Sequence, residues 1–330
     1  MAYTTIDDPS AYFQTTLYTG NGSTTHAITN GGNSDLQPDM VWIKDRGAAN
    51  WHSITDVARG HSKAIFPNDA AAEDTSNAYV KAFNSDGFTL GSAGSDVNAN
   101  SNTYVSWQWK ETATAGFDIV SYTGNGSART ISHSLSAIPK MIIIKNRDDT
   151  DSWRVYHAST GNGGSLMLNL SNAFASDSTM WNNTSPTSSV FSLGDHDNVN
   201  GNGHKFIAYC FAEKKGYSKF GSYTGNGNAD GTFVYTGFKP GFFMAKRTDA
   251  NDMPWVMIDN KRNSFNALSN TLLANSAEAA NTGTDRADFL SQGVKIRTTS
   301  GAWNASGASF IFMAFAENPF VTSTGVPATA

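Results

Sequence analysis

The sequence predicts an all-β chain of three tandem antiparallel β-sandwich domains, jelly-roll-like, each with at most one short helix. Three observations carry this. One set of landmarks recurs three times at a spacing of about a hundred residues. The apolar runs inside each copy are short and rich in β-branched and aromatic residues. Turn formers, chiefly Gly, Asn and Ser, separate those runs throughout.

The landmarks keep one order. Tyr-Thr-Gly-Asn-Gly begins at Tyr18, Tyr122 and Tyr223, and a proline follows each copy at Pro38, Pro139 and Pro240. Tryptophans stand at Trp51, Trp153 and Trp255. Between proline and tryptophan lies a basic pair: Lys44 with Arg46, Lys145 with Arg147, Lys246 with Arg247. Each copy closes on an aromatic run ending in glutamate, YVSWQWKE at Glu111, FIAYCFAE at Glu213 and FIFMAFAE at Glu317. The period exceeds the roughly 20–50 residues of solenoids and propeller blades. It suits a unit that buries its own core. The expected division is an N-terminal tail over 1–14, sandwiches over 15–115, 116–215 and 216–320, and a C-terminal tail over 321–330. The short links TATAGF and KKGYSKFGS predict a fairly rigid chain of units.

Within a unit the elements follow in order. FDIVSYTGNGSARTISHSL reads as two strands joined around Gly124, Asn125 and Gly126, where positive φ is accepted. MVWIKDR and MIIIKNR, each after a proline, read as buried strands. SWRVYH and PWVMID follow as partners, then LMLNL, VFSLG and the closing FIAYCFAE. The Ala-rich DAAAEDTSNAYVKAF is assigned the short helix. No heptad pattern is present, so no coiled-coil shaft is predicted.

Composition excludes several functions. Charged residues are 15% of the chain, under the roughly 25% usual for globular domains. The net charge of -5, with no basic run, argues against a nucleic-acid partner. The single cysteine, Cys210, rules out an intrachain disulfide framework. No apolar run approaches the roughly 18 residues of a membrane span, and the N-terminal residues lack the pattern of a signal peptide. No membrane insertion is expected.

Each candidate site residue has a structural and a functional meaning. The basic pairs and terminal glutamates are assigned to strand ends, with Lys44 or Arg46 meeting Glu111 and equivalent pairs forming in the other units. Exposed pairs of this kind contribute only about 0–1 kcal/mol. Trp51, Trp153 and Trp255, fixed in the repeat, are assigned to core or inter-sheet packing. Trp181 and Trp303 each occur in one copy only, in Asn/Ser/Gly-rich stretches that read as loops, and are the candidate ligand-binding residues. Asp96, Asn98 and Asn100 alternate like oxygen ligands of calcium, but the glycine and twelfth-position glutamate of such a loop are missing. Val199 interrupts the similar Asp195 and Asp197. Asx turns are the better reading, and no metal or cofactor is assigned. No GxSxG, Walker or HExxH motif is present, so the chain is expected not to be an enzyme.

The blocks YTGNG, FKPGFFMAKRTD, GAWNASGASFIFMAFAENPF and KKGYSKFGSYTGNG resemble a domain of unknown function. It recurs, often in tandem, in structural and tail-fibre-like proteins of marine bacteriophages, and the resemblance covers residues 12 to 320. It implies a virion protein, made in the host bacterial cytoplasm and released by lysis, with no catalytic residues to carry over. The implied partners are other virion proteins, further copies in a homotrimer, and a host surface glycan or protein. A tail fibre or related surface appendage is the first expectation. A capsid decoration or head fibre is the alternative, followed by a polysaccharide-degrading spike or a free glycan-binding lectin.

Overall fold

The computed structural model describes residues 3–75, 79–91, 94 and 96–328. It is all-β, sandwich-like and antiparallel throughout. The first third supplies β1 (Phe13–Thr19), β2 (His26–Ile28), β3 (Met40–Asp45), β4 (Ser53–Asp56), β5 (Val80–Phe83), β6 (Phe88–Leu90) and β7 (Thr103–Trp109). These make a large sheet ordered β1-β7-β3-β4 and a small sheet ordered β2-β6-β5. The middle third supplies β8 (Phe117–Thr123), β9 (Arg129–Ser132), β10 (Pro139–Asn146), β11 (Arg154–His157), β12 (Gly161–Met167), β13 (Ala175–Ser176), β14 (Val190–Leu193) and β15 (Lys205–Ala212). Its sheets are β8-β15-β10-β11-β12-β13 and β9-β14. The last third supplies β16 (Ser218–Thr224), β17 (Phe233–Tyr235), β18 (Phe238–Arg247), β19 (Trp255–Asp259), β20 (Leu272–Leu273), β21 (Ala287–Leu290), β22 (Gly293–Ile296) and β23 (Ser309–Pro319). Its sheets are β16-β23-β18-β19-β20 and β17-β22-β21. In each segment the first strand lies beside the last, and the last beside the strand that carries or closely follows the proline.

Strand alternation explains why those middle strands are apolar without interruption. In β10, Ile142 and Ile144 point into the sandwich of their own segment, with Ile131, Phe191 and Leu193 of the small sheet opposite. Met141 and Ile143 point the other way. Val41 and Ile43 divide likewise from Met40 and Trp42, and Phe243 and Ala245 from Phe242 and Met244. The outward sets do not meet water. They merge into one core shared by all three segments, where Trp109, Phe211 and Phe315 touch each other at ring-centroid distances of 5.7–6.5 Å. A strand buried on both faces reads as a continuous apolar run. The expected chain of self-closed units is therefore corrected: each sandwich has an inner core, and a fourth, common core joins the three.

The N-terminal residues expected as a tail also pack. Ile6 is buried in the common core, and Asp7 accepts hydrogen bonds from Ser323.

The Tyr-Thr-Gly-Asn-Gly string does not close a hairpin as expected. β8 belongs to the large sheet and β9 to the small one, so the string carries the chain between layers. The tyrosine hydroxyls of Tyr18, Tyr122 and Tyr223 donate to the carbonyls of Val97, Val199 and Trp303 at 2.8, 2.6 and 2.9 Å. The next residues, Asn98, Asn200 and Asn304, are fully buried. Their Oδ1 atoms accept the amides of Asn21, Asn125 and Asn226. Their Nδ2 atoms each donate at 2.7 Å to the carbonyls of Ser23, Ser127 and Asn228. A Cβ on Gly20, Gly124 or Gly225 would stand 2.1–2.2 Å from a carbonyl oxygen, which leaves room for glycine alone.

The helices are single turns: a 3-10 turn at Pro9–Ala11, α1 (Asp197–Asn200) and α2 (Gly301–Asn304). Among the described residues the Ala-rich stretch contains no helix. Its C-terminal part is β5, where Val80 pairs with Leu90, and residues 76–78 lie outside the described residues. No helix among the described residues is long and apolar enough to cross a membrane.

Candidate functional site

The recurring charged and aromatic residues form joints between segments. Lys44, Lys145 and Lys246 are fully buried. Lys44 Nζ donates to the Asp45 and Ala48 carbonyls at 2.7 and 3.1 Å and to Ala277 of the third segment at 2.9 Å. Lys246 Nζ donates to Arg247 at 2.5 Å and to Ser171 of the second segment at 3.5 Å. Lys145 Nζ donates to Asn146 and Asp149 at 2.6 and 3.1 Å and faces the charge of Asp69 in the first segment. Burial pushes each lysine down to about 8.

The expected contact of Lys44 or Arg46 with Glu111 is absent among the described residues. The antiparallel register puts Lys44 opposite Val105, while Glu111 lies beyond Trp109 at the other end of the pair. That separation is four or more residue steps, over about 13 Å. Arg147 instead grips Glu73 of the first segment at 2.9 and 3.0 Å, and Arg247 pairs with Asp249 at 2.6 Å. The Arg46 carbonyl accepts the Ala280 amide of the third segment at 2.9 Å. The matching carbonyls of Arg147 and Thr248 accept Glu73 and Phe174, each at 2.8 Å.

Two of the three recurring tryptophans are joints as well. Trp153 Nε1 donates to the Phe66 and Asp69 carbonyls at 2.9 and 3.1 Å, and Trp255 Nε1 to Met167 at 2.8 Å. Trp51 is not their counterpart: it is 39% exposed. Ser53, Arg154 and Val256 share a register position, so the buried site before them holds His52 in the first segment. His52 Nε2 lies 3.1 Å from the Ser276 carbonyl. A third set completes the pattern. Tyr209 donates to Asp56 at 2.6 Å, Trp107 to Asp259 at 3.1 Å, and His157 Nε2 lies 3.2 Å from the Phe312 carbonyl. Asp56 and Asp259 are each held by a fully buried arginine, Arg59 and Arg262. In every set one contact joins the first and third segments, one the third and second, and one the second and first, so the segments close a ring.

The two candidate ligand-binding tryptophans are corrected. Trp181 and Trp303 are 1% and 2% exposed, each packed inside a sandwich, and Trp181 Nε1 donates to the Gly164 carbonyl at 2.9 Å. Their Asn/Ser/Gly surroundings, a turn at Trp181 and α2 at Trp303, fold over the core and not away from it. Asn98 is engaged in the clamp described above, and no metal-holding cluster occurs among the described residues. Cys210 is buried, and burial pushes its thiol well up.

What stays open is one seam of the ring. Where the first segment passes to the second, Glu111 accepts the Ile119 amide at 3.0 Å. Where the second passes to the third, Glu213 binds Lys219 Nζ at 2.7 Å and the Phe220 amide at 3.5 Å. The matching position in the first segment is Thr15, opposite Trp107 as Ile119 is opposite Tyr209 and Phe220 opposite Met313. Glu317 does not reach it. β23 runs on to Pro319, and Glu317 Oε2 stands 3.0 Å from Lys239 Nζ as an ion pair without hydrogen-bond geometry. Among the described residues Thr15 Oγ1 and Glu317 Oε2 both lack a hydrogen-bond partner. A cleft of about 610 Å³ lies here, lined by Gln14, Thr15, Gly32, Asn260, Lys261 and Glu317 among others. A second, of about 720 Å³, shares Asn260, Lys261 and Glu317 and extends past Phe265 to Leu290.

Exposed aromatic rings gather on the same segment. Phe265 is 85% exposed, Tyr235 55% and Phe233 45%. Phe233 and Tyr235 share the outer face of the small sheet, in rows with Lys295–Asp288 and Gly293–Leu290. The register places Ala27 and Thr130 where the third segment has Phe233. Neither Phe265 nor the seam was found from the sequence, because both break the repeat that the landmarks define. The only available signal was a phenylalanine inside KRNSFNALSN, a polar stretch with no apolar periodicity.

No curated protein matches the chain. One family model covers residues 8–319, and by that match the chain belongs to the family described as Domain of unknown function (DUF7483).

Proposed function

We propose that the chain is a non-enzymatic bacteriophage virion protein, made of three tandem copies of one unit over 15–115, 116–215 and 216–320, and serving as a tail fibre or surface appendage that adheres to the host. The carrying observation is how the titratable side chains are used. The lysines, the Asp–Arg pairs and the histidines that recur or align between segments are buried in joints, while among the described residues three of the four exposed rings, Phe233, Tyr235 and Phe265, and one of the two open clefts lie on the third segment. Such a division suits a rigid body with one adhesive end better than an enzyme. The resemblance to tail-fibre-like proteins supports placement in a virion released by lysis, with other virion proteins as partners.

The ring bears on assembly. Threefold arrangement, which a fibre would gain by homotrimerisation, is supplied here within one chain. This favours a single copy seated on a threefold site, and thereby gives weight to the alternative of a capsid decoration. Copy number separates the two placements: purified particles, gently dissociated, hold a few tens of fibre chains or hundreds of decoration chains. Absence of the chain from particles defeats the proposal. The mass of the purified chain in solution distinguishes one copy from three.

A further inference from the structure

We infer that the open seam, from Gln14 and Thr15 past Lys261 to Phe265, is a binding groove for an extended oligosaccharide. The inference deepens the adhesive reading above and rests on it. The two clefts share Asn260, Lys261 and Glu317, so they adjoin along one face of the molecule. Each cleft has the volume of an ordinary ligand site, roughly 300–1,000 Å³. The lining mixes amide, hydroxyl, ammonium and carboxylate groups with apolar side chains such as Leu17, Leu268 and Leu290, which suits a ligand carrying hydroxyls on a C–H frame. Thr15 is buried, and among the described residues its Oγ1 has no partner and Glu317 Oε2 has only the ion pair with Lys239. Buried polar atoms of this kind are ordinarily satisfied, and a ligand hydroxyl or its water reaching the groove floor would satisfy them. Phe265 supplies the other half of sugar recognition. Its ring is 85% exposed on the groove wall. The electron-rich face of such a ring attracts the weakly positive C–H face of a pyranose.

Asymmetry supports the same conclusion. The two covalently linked junctions of the ring fill the matching position with a glutamate-to-amide contact. The noncovalent junction leaves it open. A structural requirement of the fold would recur at all three.

The test measures the full-length chain on an array of purified bacterial capsular and O-antigen oligosaccharides, followed by titration of the strongest binder. Phe265→Ala is expected to weaken binding at least about tenfold and Lys261→Ala several-fold. Trp51→Ala, an exposed ring elsewhere on the molecule, should leave the affinity within about twofold. Phe265 and Lys261 are both exposed, so melting temperatures are expected to match the unaltered chain. No binding to any oligosaccharide, or equal binding by the Phe265 and Lys261 variants, overturns the inference. Adhesion is scored separately on intact and protease-treated host cells. A chain that binds intact cells but no oligosaccharide, and loses the cells after protease treatment, keeps its adhesive role and loses the glycan groove.

Discussion

Trp51 and Trp153 stand at the same spacing in the sequence and in opposite environments. Trp153 is fully buried and its indole holds two carbonyls of the first segment. Trp153→Ala should destabilise the protein by about 3–5 kcal/mol, while Trp51→Ala costs less than about 1 kcal/mol. Chemical denaturation of the two variants checks the contrast, and equal costs contradict it. Sequence spacing could not tell them apart, because a ring one residue out of register on a strand points to the other face. The histidine that replaces the indole, His52, is invisible to a search for repeated tryptophans. His157 allows a pH prediction. Burial pushes it down to about 4 from an ordinary value of 6.5. The unfolded chain takes up a proton as pH falls through 6.5, and the folded chain does so only near 4. Its contribution to stability is therefore complete above pH 6.5 and is lost between 6.5 and 4. Glu111, pushed up to about 7 by burial and then by Asp118, acts in the opposite sense over pH 4.5 to 7. The histidine effect is thus read as a difference. The melting temperature of the unaltered chain should fall more between pH 6.5 and 4 than that of His157→Gln. Parallel curves would contradict this.

Among the elements, the Tyr-Thr-Gly-Asn-Gly crossing repeats most closely. Its first glycine has no space for a methyl group: a Cβ on Gly124 meets the Gly201 carbonyl at 2.2 Å. Gly124→Ala should cost about 1–3 kcal/mol through backbone displacement. Gly163→Ala, with no atom within 4 Å of the new Cβ, should stay within about 0.5 kcal/mol. Thermal melts of both variants decide this. That the string matters was legible from its recurrence. Its partner was not, since Asn98, Asn200 and Asn304 lie 75 or more residues away in stretches of differing sequence. The apolar run of β10 was legible as a buried strand for a similar reason, and its second burial partner was not. Periodicity reports that both faces are covered without reporting by what.

On the scale of the whole molecule, the sandwich class followed from strand length, turn chemistry and repeat period. The ring did not, because the joints use different residues at matching places. Trp153, Trp255 and His52 do one task, and Tyr209, Trp107 and the Phe312 carbonyl another. The candidate groove was illegible for the complementary reason, being the place where the repeat fails. Three inner cores joined by a fourth common one predict that no segment unfolds without removing apolar cover from the other two. Differential scanning calorimetry of the full chain tests this most directly. Mutual dependence gives one transition whose calorimetric and van 't Hoff enthalpies agree, a ratio of about 1. Separable transitions, or a ratio approaching about 3 as for three independent two-state domains, would contradict the shared core.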